Sequence, residues 1–318
     1  MRAMRYHESG GPECLRDDVV ERPSPAANEL LVELAAASVN PADWKLGAAA
    51  GRSLPMPFTP GMDFAGIVRE VGSDVAGFGI GDRVFGAELI ARNGTYAEYA
   101  AVPAAIVAHV PASISLHVAA AVPLAALTAW EATLAPAHGN VRAGQRVLVQ
   151  GGAGGTGTFA IQFAKQRGAH VIATSSARNH ELLHALGADE IVDYRAVCFE
   201  DAIDPVDTVI DLVGGEVLSR SIPLIRKGGA LASIVPSPDT TAEYLAMAER
   251  HGIRLSFVNM SVNRDMVVFA EIVRQLENEK LKVIVSETYP LIRAAEALAE
   301  SCTGGVRGKI VLAIGSPV

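Results

Sequence analysis

Along the first 120 or so residues, short apolar runs alternate with turn residues. LLVELAAASV (30–39), FAGIVREVG (64–72), DRVFGA (82–87) and YAEYAAVP (96–103) read as strands, punctuated by PMPFTPG (55–61) and GFGIGD (77–82). Many short strands with such turns predict a compact β-rich domain. From residue 146 the rhythm becomes strand, helix, strand. Six apolar runs, RVLVQ (146–150), HVIATS (170–175), EIVDY (190–194), DTVIDLV (207–213), ALASIV (230–235) and RLSFVN (254–259), are separated mostly by helical stretches. One helix is predicted over 156–167, where Phe159, Ala160, Phe163 and Ala164 recur at helical spacing and Gly168 follows. A second lies near 179–186, ended by Gly187. Apolar strands joined by helices predict an α/β, doubly wound parallel sheet. Beyond it come a helix near 264–279, KVIVSETYP (282–290), a helix over 291–300 and GKIVLAIG (308–315), read as the chain returning to the first domain. The expected division is therefore 1–122, completed by 265–318, and 123–264.

Composition narrows the partners. The 318 residues suit two domains at about 150 residues each, and 50% hydrophobic content supplies their cores. With 27 basic against 35 acidic residues the net charge is −8, and no basic cluster is present, so no nucleic-acid partner is expected. Cys14, Cys198 and Cys302 are too scattered for a disulfide framework or a four-thiolate zinc lobe. MRAMRYHESG lacks the apolar stretch of a signal peptide, and VAAAVPLAALTAW (118–130) is too short to cross a bilayer and contains Pro123. A cytoplasmic protein without membrane association is the expectation.

The sharpest local signal is the loop after RVLVQ. Gly152, Gly154 and Gly157 form G-x-G-x-x-G between a predicted strand and helix, within the run Gly152, Ala153, Gly154, Gly155, Thr156, Gly157. Glycines allow the turn, the approach of backbone to a diphosphate, and close helix–strand packing, while the helix N-terminus offers N–H donors to the anion. The alternative is a plain strand–helix turn. An NAD site commonly places an acid about 20 residues on, bonded to the ribose hydroxyls. Here the second strand ends in Thr174, Ser175 and Ser176, followed by Arg178, and hydroxyls with a guanidinium suit a 2′-phosphate. NADPH is the expected cofactor, with a solvated Arg178 as the alternative. His180 and His184, four apart on a helix, lack further ligands and are expected to be a solvated surface pair.

These residues carry a resemblance. SVNPADWKLG (38–47), PFTPGMDFAGIVREVG (57–72), GDRVFG (81–86), LTAWEAT (127–133), GGAGGTG (151–157), LGADEIVDY (186–194), VIDLVGGE (209–216), LIRKGGALASI (224–234) and RGKIVL (307–312) resemble, in order and along essentially the whole chain, the medium-chain dehydrogenase/reductase superfamily. Within it the chain is similar to the zinc-independent quinone oxidoreductases, the zeta-crystallin-like branch. The resemblance implies a GroES-like β-rich domain plus a Rossmann six-stranded sheet, an active site in the cleft between them, and a C-terminal segment rejoining the first domain. It also implies that the catalytic zinc of the alcohol dehydrogenases, held by Cys, His and Cys, would fall at Asn40, Met62 and Leu124, none of which supplies a thiolate or imidazole. The structural zinc lobe is missing too, since AELIARNGTYAEYAAVP (87–103) has no cysteine.

Chemistry that needs no Lewis acid is what this combination implies: NADPH passing hydride to a quinone or an activated enone. Asn40 is the first candidate in the cleft, its amide able to donate to a substrate carbonyl or the nicotinamide ribose, with a turn-stabilising Asn before Pro41 as the alternative. Trp44 stands where relatives carry a Tyr near substrate, as an aromatic wall or a core Trp. Thr128 matches a position near the nicotinamide, or caps a helix, and Tyr194 packs on adenine or is buried at a strand end. Asp63, which replaces a Glu of the dehydrogenases, is expected to pair with a basic residue of the C-terminal strand such as Arg307. No residue stands out as proton donor. Competing readings are an enoyl reductase acting on enals or enoyl thioesters and a non-catalytic NADPH-binding or sensor protein. Relatives dimerise through the Rossmann sheet edge, and the apolar RLSFVN strand suits a homodimer.

Overall fold

The computed structural model describes residues 1–49, 55–88, 94–236, 239–259 and 265–315. Its chain divides into two compact units, one formed by Met1–Leu124 with Arg264–Val318, the other by Ala125–Asn263.

In the first unit the strands are β1 (Arg2–Tyr6), β2 (Leu15–Val19), β3 (Glu29–Ser38), β4 (Asp63–Val71), β5 (Arg83–Ala87), β6 (Tyr99–Pro103) and β7 (Val107–His109). β1 and β2 form an antiparallel pair, while β3 through β7 belong to a second, larger sheet. β3 is the hub of that sheet, antiparallel to both β4 and β6, and nearly all of its residues are buried. The core contains Phe64, Phe85 and Tyr96, each at most 0% exposed, and burial of an aromatic of this size contributes about 2–3 kcal/mol. Between β3 and β4 lies a helix, α1 (Pro41–Ala49), that the apolar pattern does not announce. Its cause is local. Pro41 presets the first helical turn, and Asp43 reaches back to accept the Asn40 N–H at 2.8 Å while the Asp43 N–H returns to Asn40 O at 3.0 Å.

The second unit carries β8 (Arg146–Gln150), β9 (His170–Ser175), β10 (Glu190–Asp193), β11 (Val206–Asp211), β12 (Ile225–Ser233) and β13 (Arg254–Phe257). They form a parallel sheet in the order β10-β9-β8-β11-β12-β13, the doubly wound Rossmann arrangement with its reversal between β8 and β11. Valine, leucine and isoleucine at 147–149, 171–172 and 209–210 are fully buried, as strands covered on both faces require. β12 starts five residues earlier than the apolar run ALASIV suggested, because Ile225 already pairs with Val206 before a register shift. The glycine-bearing helix α2 (Gly155–Gln166) ends at Gly168, whose φ of +80° supplies the left-handed residue that lets Ala169 N bond Ala164 O at 3.2 Å.

The chain then re-enters the first unit. After α3 (Met266–Glu277), strand β14 (Val285–Pro290), helix α4 (Ala294–Thr303) and strand β15 (Lys309–Ala313) follow, with β14 parallel to β15 and β15 antiparallel to β3. The larger sheet then runs β14-β15-β3-β4-β5-β7, with β6 paired to β3. No helix of the described residues is long and apolar enough to cross a membrane.

Candidate cofactor and active site

In the second unit the glycines divide the work. Gly151, at φ +74°, makes the turn out of β8. A Cβ on Gly157 would lie 2.4 Å from Gly151 O and 2.7 Å from Gly152 O, so only glycine lets α2 approach the turn this closely. A Cβ on Gly154 would meet nothing nearer than Gly151 O at 3.5 Å, so its outer side is open space. Thr158 N to Gly154 O, at 3.0 Å, begins the bonding of α2, leaving the N–H groups of Gly155, Thr156 and Gly157 without an intrahelical acceptor. An open, donor-rich cradle at a helix start fits a diphosphate. Ala153 is buried within the same turn.

The hydroxyls after β9 do different jobs. Thr174 turns inward: Oγ1 donates to Gln150 Oε1 at 2.7 Å and accepts from Gly151 N at 3.1 Å, bracing the glycine turn. Ser175 Oγ donates to Ser176 O at 3.1 Å, and Ser176 Oγ accepts from Asn179 Nδ2 at 3.3 Å. Arg178 is exposed on the single turn Ala177–Asn179. The spacing rule missed a carboxylate beside this segment. Asp193 lies opposite Ser175 on β10 and accepts from Ala177 N at 3.2 Å and Arg195 N at 2.9 Å. Tyr194 is half exposed, with the Arg195 guanidinium 5.8 Å from its ring centre, so the buried alternative is set aside. Thr128 is buried in the middle of the helix Pro123–Leu134, which removes the capping alternative. His180 departs from a solvated pair, since its Nε2 is enclosed without a partner, while His184 Nδ1 contacts Ala188 O at 3.0 Å.

In the first unit the residues of SVNPAD and GMDF meet in one buried polar cluster. Asp63 is fully buried and collects three donors from two segments: Ser38 Oγ at 2.6 Å and Asn40 Nδ2 at 2.9 Å from the end of β3, and the main-chain N–H of Leu124 at 2.7 Å. Its basic neighbour is Lys309, with Nζ 3.5 Å from Oδ2, and not Arg307. Gly308, at φ +78°, bends the chain just before β15, so Arg307 stays exposed outside the strand. Lys309 Nζ also donates to Val39 O at 3.0 Å and to Asn40 Oδ1. Burial pulls the Lys309 ammonium below its ordinary range, opposed by Asp63 and Asp43.

A second carboxyl stands behind the first. Asp43 Oδ2 accepts from Asn40 N and from Tyr96 OH at 2.9 Å, whereas Asp43 Oδ1 and the Tyr6 hydroxyl are enclosed with no partner. Burial pushes Asp43 up to about 7, against the hydrogen bonds from Asn40 and Tyr96 that would lower it. Burial also raises the Tyr96 phenol well above its usual value. Trp44 is half buried on α1, and its indole N–H donates to Ser301 Oγ of α4 at 3.3 Å. Asp43 and Lys309 lie within the motifs SVNPADWKLG and RGKIVL, but neither they nor Tyr96 stand out there as site residues. Their importance comes from contacts made across 53 and 269 residues of sequence.

A zinc ion does not fit here. Asn40, Met62 and Leu124 offer no thiolate or imidazole, and two of the three direct an N–H at Asp63. Among the described residues, no three His, Cys, Asp or Glu side chains gather as metal ligands.

A GroES-like unit joined to a Rossmann unit with a glycine cradle defines a nucleotide-dependent oxidoreductase of the medium-chain dehydrogenase/reductase class. Residues 26–112 match the family described as alcohol dehydrogenase GroES-like domain, and residues 186–312 the one described as zinc-binding dehydrogenase. A chloroplast envelope quinone oxidoreductase homolog of Arabidopsis thaliana is 32% identical over 98% of both chains. The quinone oxidoreductase from Coxiella burnetii superposes with a TM-score of 0.92 at 34% identity, covering 99% of each chain. The Escherichia coli quinone oxidoreductase complexed with NADPH gives 0.88 at 25% identity, over 98% of this chain and 100% of that one. The chain belongs to the zinc-independent quinone oxidoreductase family of that superfamily.

Proposed function

We propose that this chain is an NADPH-dependent reductase that delivers hydride to a quinone without a metal. The observation that carries the reading is the set Asn40, Met62 and Leu124 around Asp63: with no group there to polarise a carbonyl as a Lewis acid, the acceptor must already be electron-poor. When bound, the nicotinamide supplies the hydride. The chain's own part is to hold and orient. Gly152, Ala153, Gly154, Gly155, Thr156 and Gly157 take the diphosphate, with Thr174 bracing the turn from behind. Ser175, Ser176 and Arg178 take the adenosine 2′-phosphate, and Tyr194, half exposed and next to the Asp193 that pairs with Ser175, packs on the base. Asp193 has its two oxygens occupied by main-chain N–H groups, which moderates its repulsion of that phosphate. Thr128 contributes at the nicotinamide end, and Asn40 with Trp44 at the substrate. The Escherichia coli relative that carries NADPH in its structure supports the cofactor assignment.

The test is oxidation of NADPH and NADH by the purified chain with 1,4-benzoquinone and with 2-cyclohexenone. Quinone-dependent oxidation of NADPH is expected, and Arg178→Ala should weaken NADPH use far more than NADH use. Equal losses for both would sink the 2′-phosphate assignment. Faster turnover of the enone would favour the enoyl reductase reading. Tight NADPH binding with no acceptor reduced would favour a sensor.

A further inference from the structure

The Asn40 amide is held at both ends. Its Nδ2 donates to Asp63 Oδ2 at 2.9 Å and, more weakly, to Ser38 O at 3.5 Å, while its Oδ1 accepts from Lys309 Nζ. A primary amide has two nearly isosteric orientations. Turning this one over would set an NH2 group against an ammonium and an oxygen against a carboxylate, two repulsions in a buried place. Asn40 is 5% exposed, Asp63 0% and Lys309 5%. Asp63 alone does not decide the outcome, since it is also supplied by Ser38 Oγ and Leu124 N and sits 3.5 Å from the ammonium. Lys309 is the group that meets the oxygen end. It arrives from β15, at the far end of the sequence, and the Val39 carbonyl anchors the same ammonium at 3.0 Å.

We propose that Lys309 is a positioning residue for the reductase reaction, fixing the Asn40 amide so that Asn40 offers reactants the second lone pair of Oδ1 and not an amide hydrogen. This rests on the reductase reading above and sharpens it. The sequence suggested Asn40 as a donor to a substrate carbonyl. With one amide hydrogen committed to Asp63 and the other turned to Ser38 O, Asn40 acts as an acceptor, suited to a hydroxyl of the cofactor or to a protonated oxygen of the substrate. Lys309 does not touch the reactants and works through Asn40.

The experiment is a double-mutant cycle of Lys309→Met and Asn40→Ala, read as kcat/KM for quinone, as the NADPH dissociation constant by fluorescence titration, and as urea unfolding. Each single variant is expected to lose about tenfold or more in kcat/KM, with the Lys309→Met loss disappearing in the Asn40→Ala background because the residue it positions is gone. NADPH affinity should show the same non-additivity. Lys309→Gln, which keeps an N–H donor toward Oδ1 but no charge, should recover most of the activity. If Lys309→Met does not fold, Lys309→Met with Asp63→Asn removes both buried charges together and should remain slow for want of the donor. Equal losses with and without Asn40, or a Lys309→Met chain that is less stable yet kinetically unchanged, would overturn the positioning role alone. Absence of NADPH oxidation by the unsubstituted chain would overturn the reductase reading and this role with it.

Discussion

The two glycines of the cradle invite opposite consequences from the same substitution. In Gly157→Ala the new Cβ would stand 2.4 Å from Gly151 O, roughly 0.9 Å inside an ordinary C···O contact of about 3.3 Å. Its other near neighbours, Gly152 O at 2.7 Å and Gly152 C at 2.8 Å, are also backbone, so no side chain can swing away. The helix must retreat from the turn. Overpacking of this kind costs about 1–3 kcal/mol. For a unit of this size that lowers the unfolding midpoint by roughly 2–12 °C. Gly154→Ala puts its Cβ in open space, 3.5 Å from the nearest atom, and Gly154 has φ −72° and ψ 169°, which alanine adopts freely. The cofactor-free stability should therefore change by no more than about 0.5 kcal/mol. The new methyl would, however, occupy the space through which a diphosphate approaches the N–H groups of α2, and NADPH affinity should fall by about tenfold or more, equivalent to 1.4 kcal/mol. Differential scanning calorimetry without cofactor and fluorescence titration with it separate the two. If Gly154→Ala binds NADPH as well as the unsubstituted chain, the diphosphate does not lie on this loop and the cradle argument is wrong.

Two further outcomes follow from buried groups. In the folded chain burial pushes Asp43 up to about 7 from its ordinary 3.8, so the folded state binds the proton more tightly. Its contribution is then fully present below pH 4 and is lost as pH rises toward 7. Urea unfolding of the unsubstituted chain minus Asp43→Asn should fall across that window and level off above it, and a flat difference would contradict the buried, proton-bearing carboxyl. In Thr174→Val, Gly151 N and Gln150 Oε1 lose the hydroxyl between them, which should destabilise the second unit by about 1–3 kcal/mol in urea unfolding before any cofactor is added.

How far the sequence carried can be judged from particular residues. The central parallel strands were readable because they are covered on both faces and so become apolar runs, as in Arg146–Gln150. Gly168 and Gly187 were readable as helix ends because left-handed backbone selects glycine, and both have positive φ. β1 and β2 were not, since LRDDV shows three charges in five residues and is held by pairing to β1. α1 escaped for a related reason: a reciprocal Asn40–Asp43 cap and a proline set it, not apolar periodicity. Within the site, Thr174, Ser175 and Ser176 looked equivalent as hydroxyls. Strand alternation sends successive side chains to opposite faces, and contact with Gln150 decides that Thr174 faces inward. Lys309 was the hardest to see. A lysine at the head of an apolar strand reads as a solvated edge residue, and only the return of β15 beside β3 turns it into the buried partner of Asp63 and Asn40.

The same cluster occupies the positions that the resemblance assigns to the catalytic zinc ligands of the alcohol dehydrogenases. A cation needs lone pairs converging on it. Here the convergence is inverted, because Ser38 Oγ, Asn40 Nδ2 and the Leu124 main chain all direct hydrogens at one carboxylate. Two segments far apart in sequence, 38–40 and Leu124, are thereby tied to β4 at its first residue, and Lys309 ties the C-terminal strand to the same point. Removing Lys309 leaves the Asp63 charge buried without its counter-ion, the costly case for an ion pair, whereas the intact set satisfies both carboxylate oxygens of Asp63. An arrangement held as a hydrogen-bond knot has no need of an ion to keep Asn40 in place, and that is the condition the proposed metal-free reduction sets.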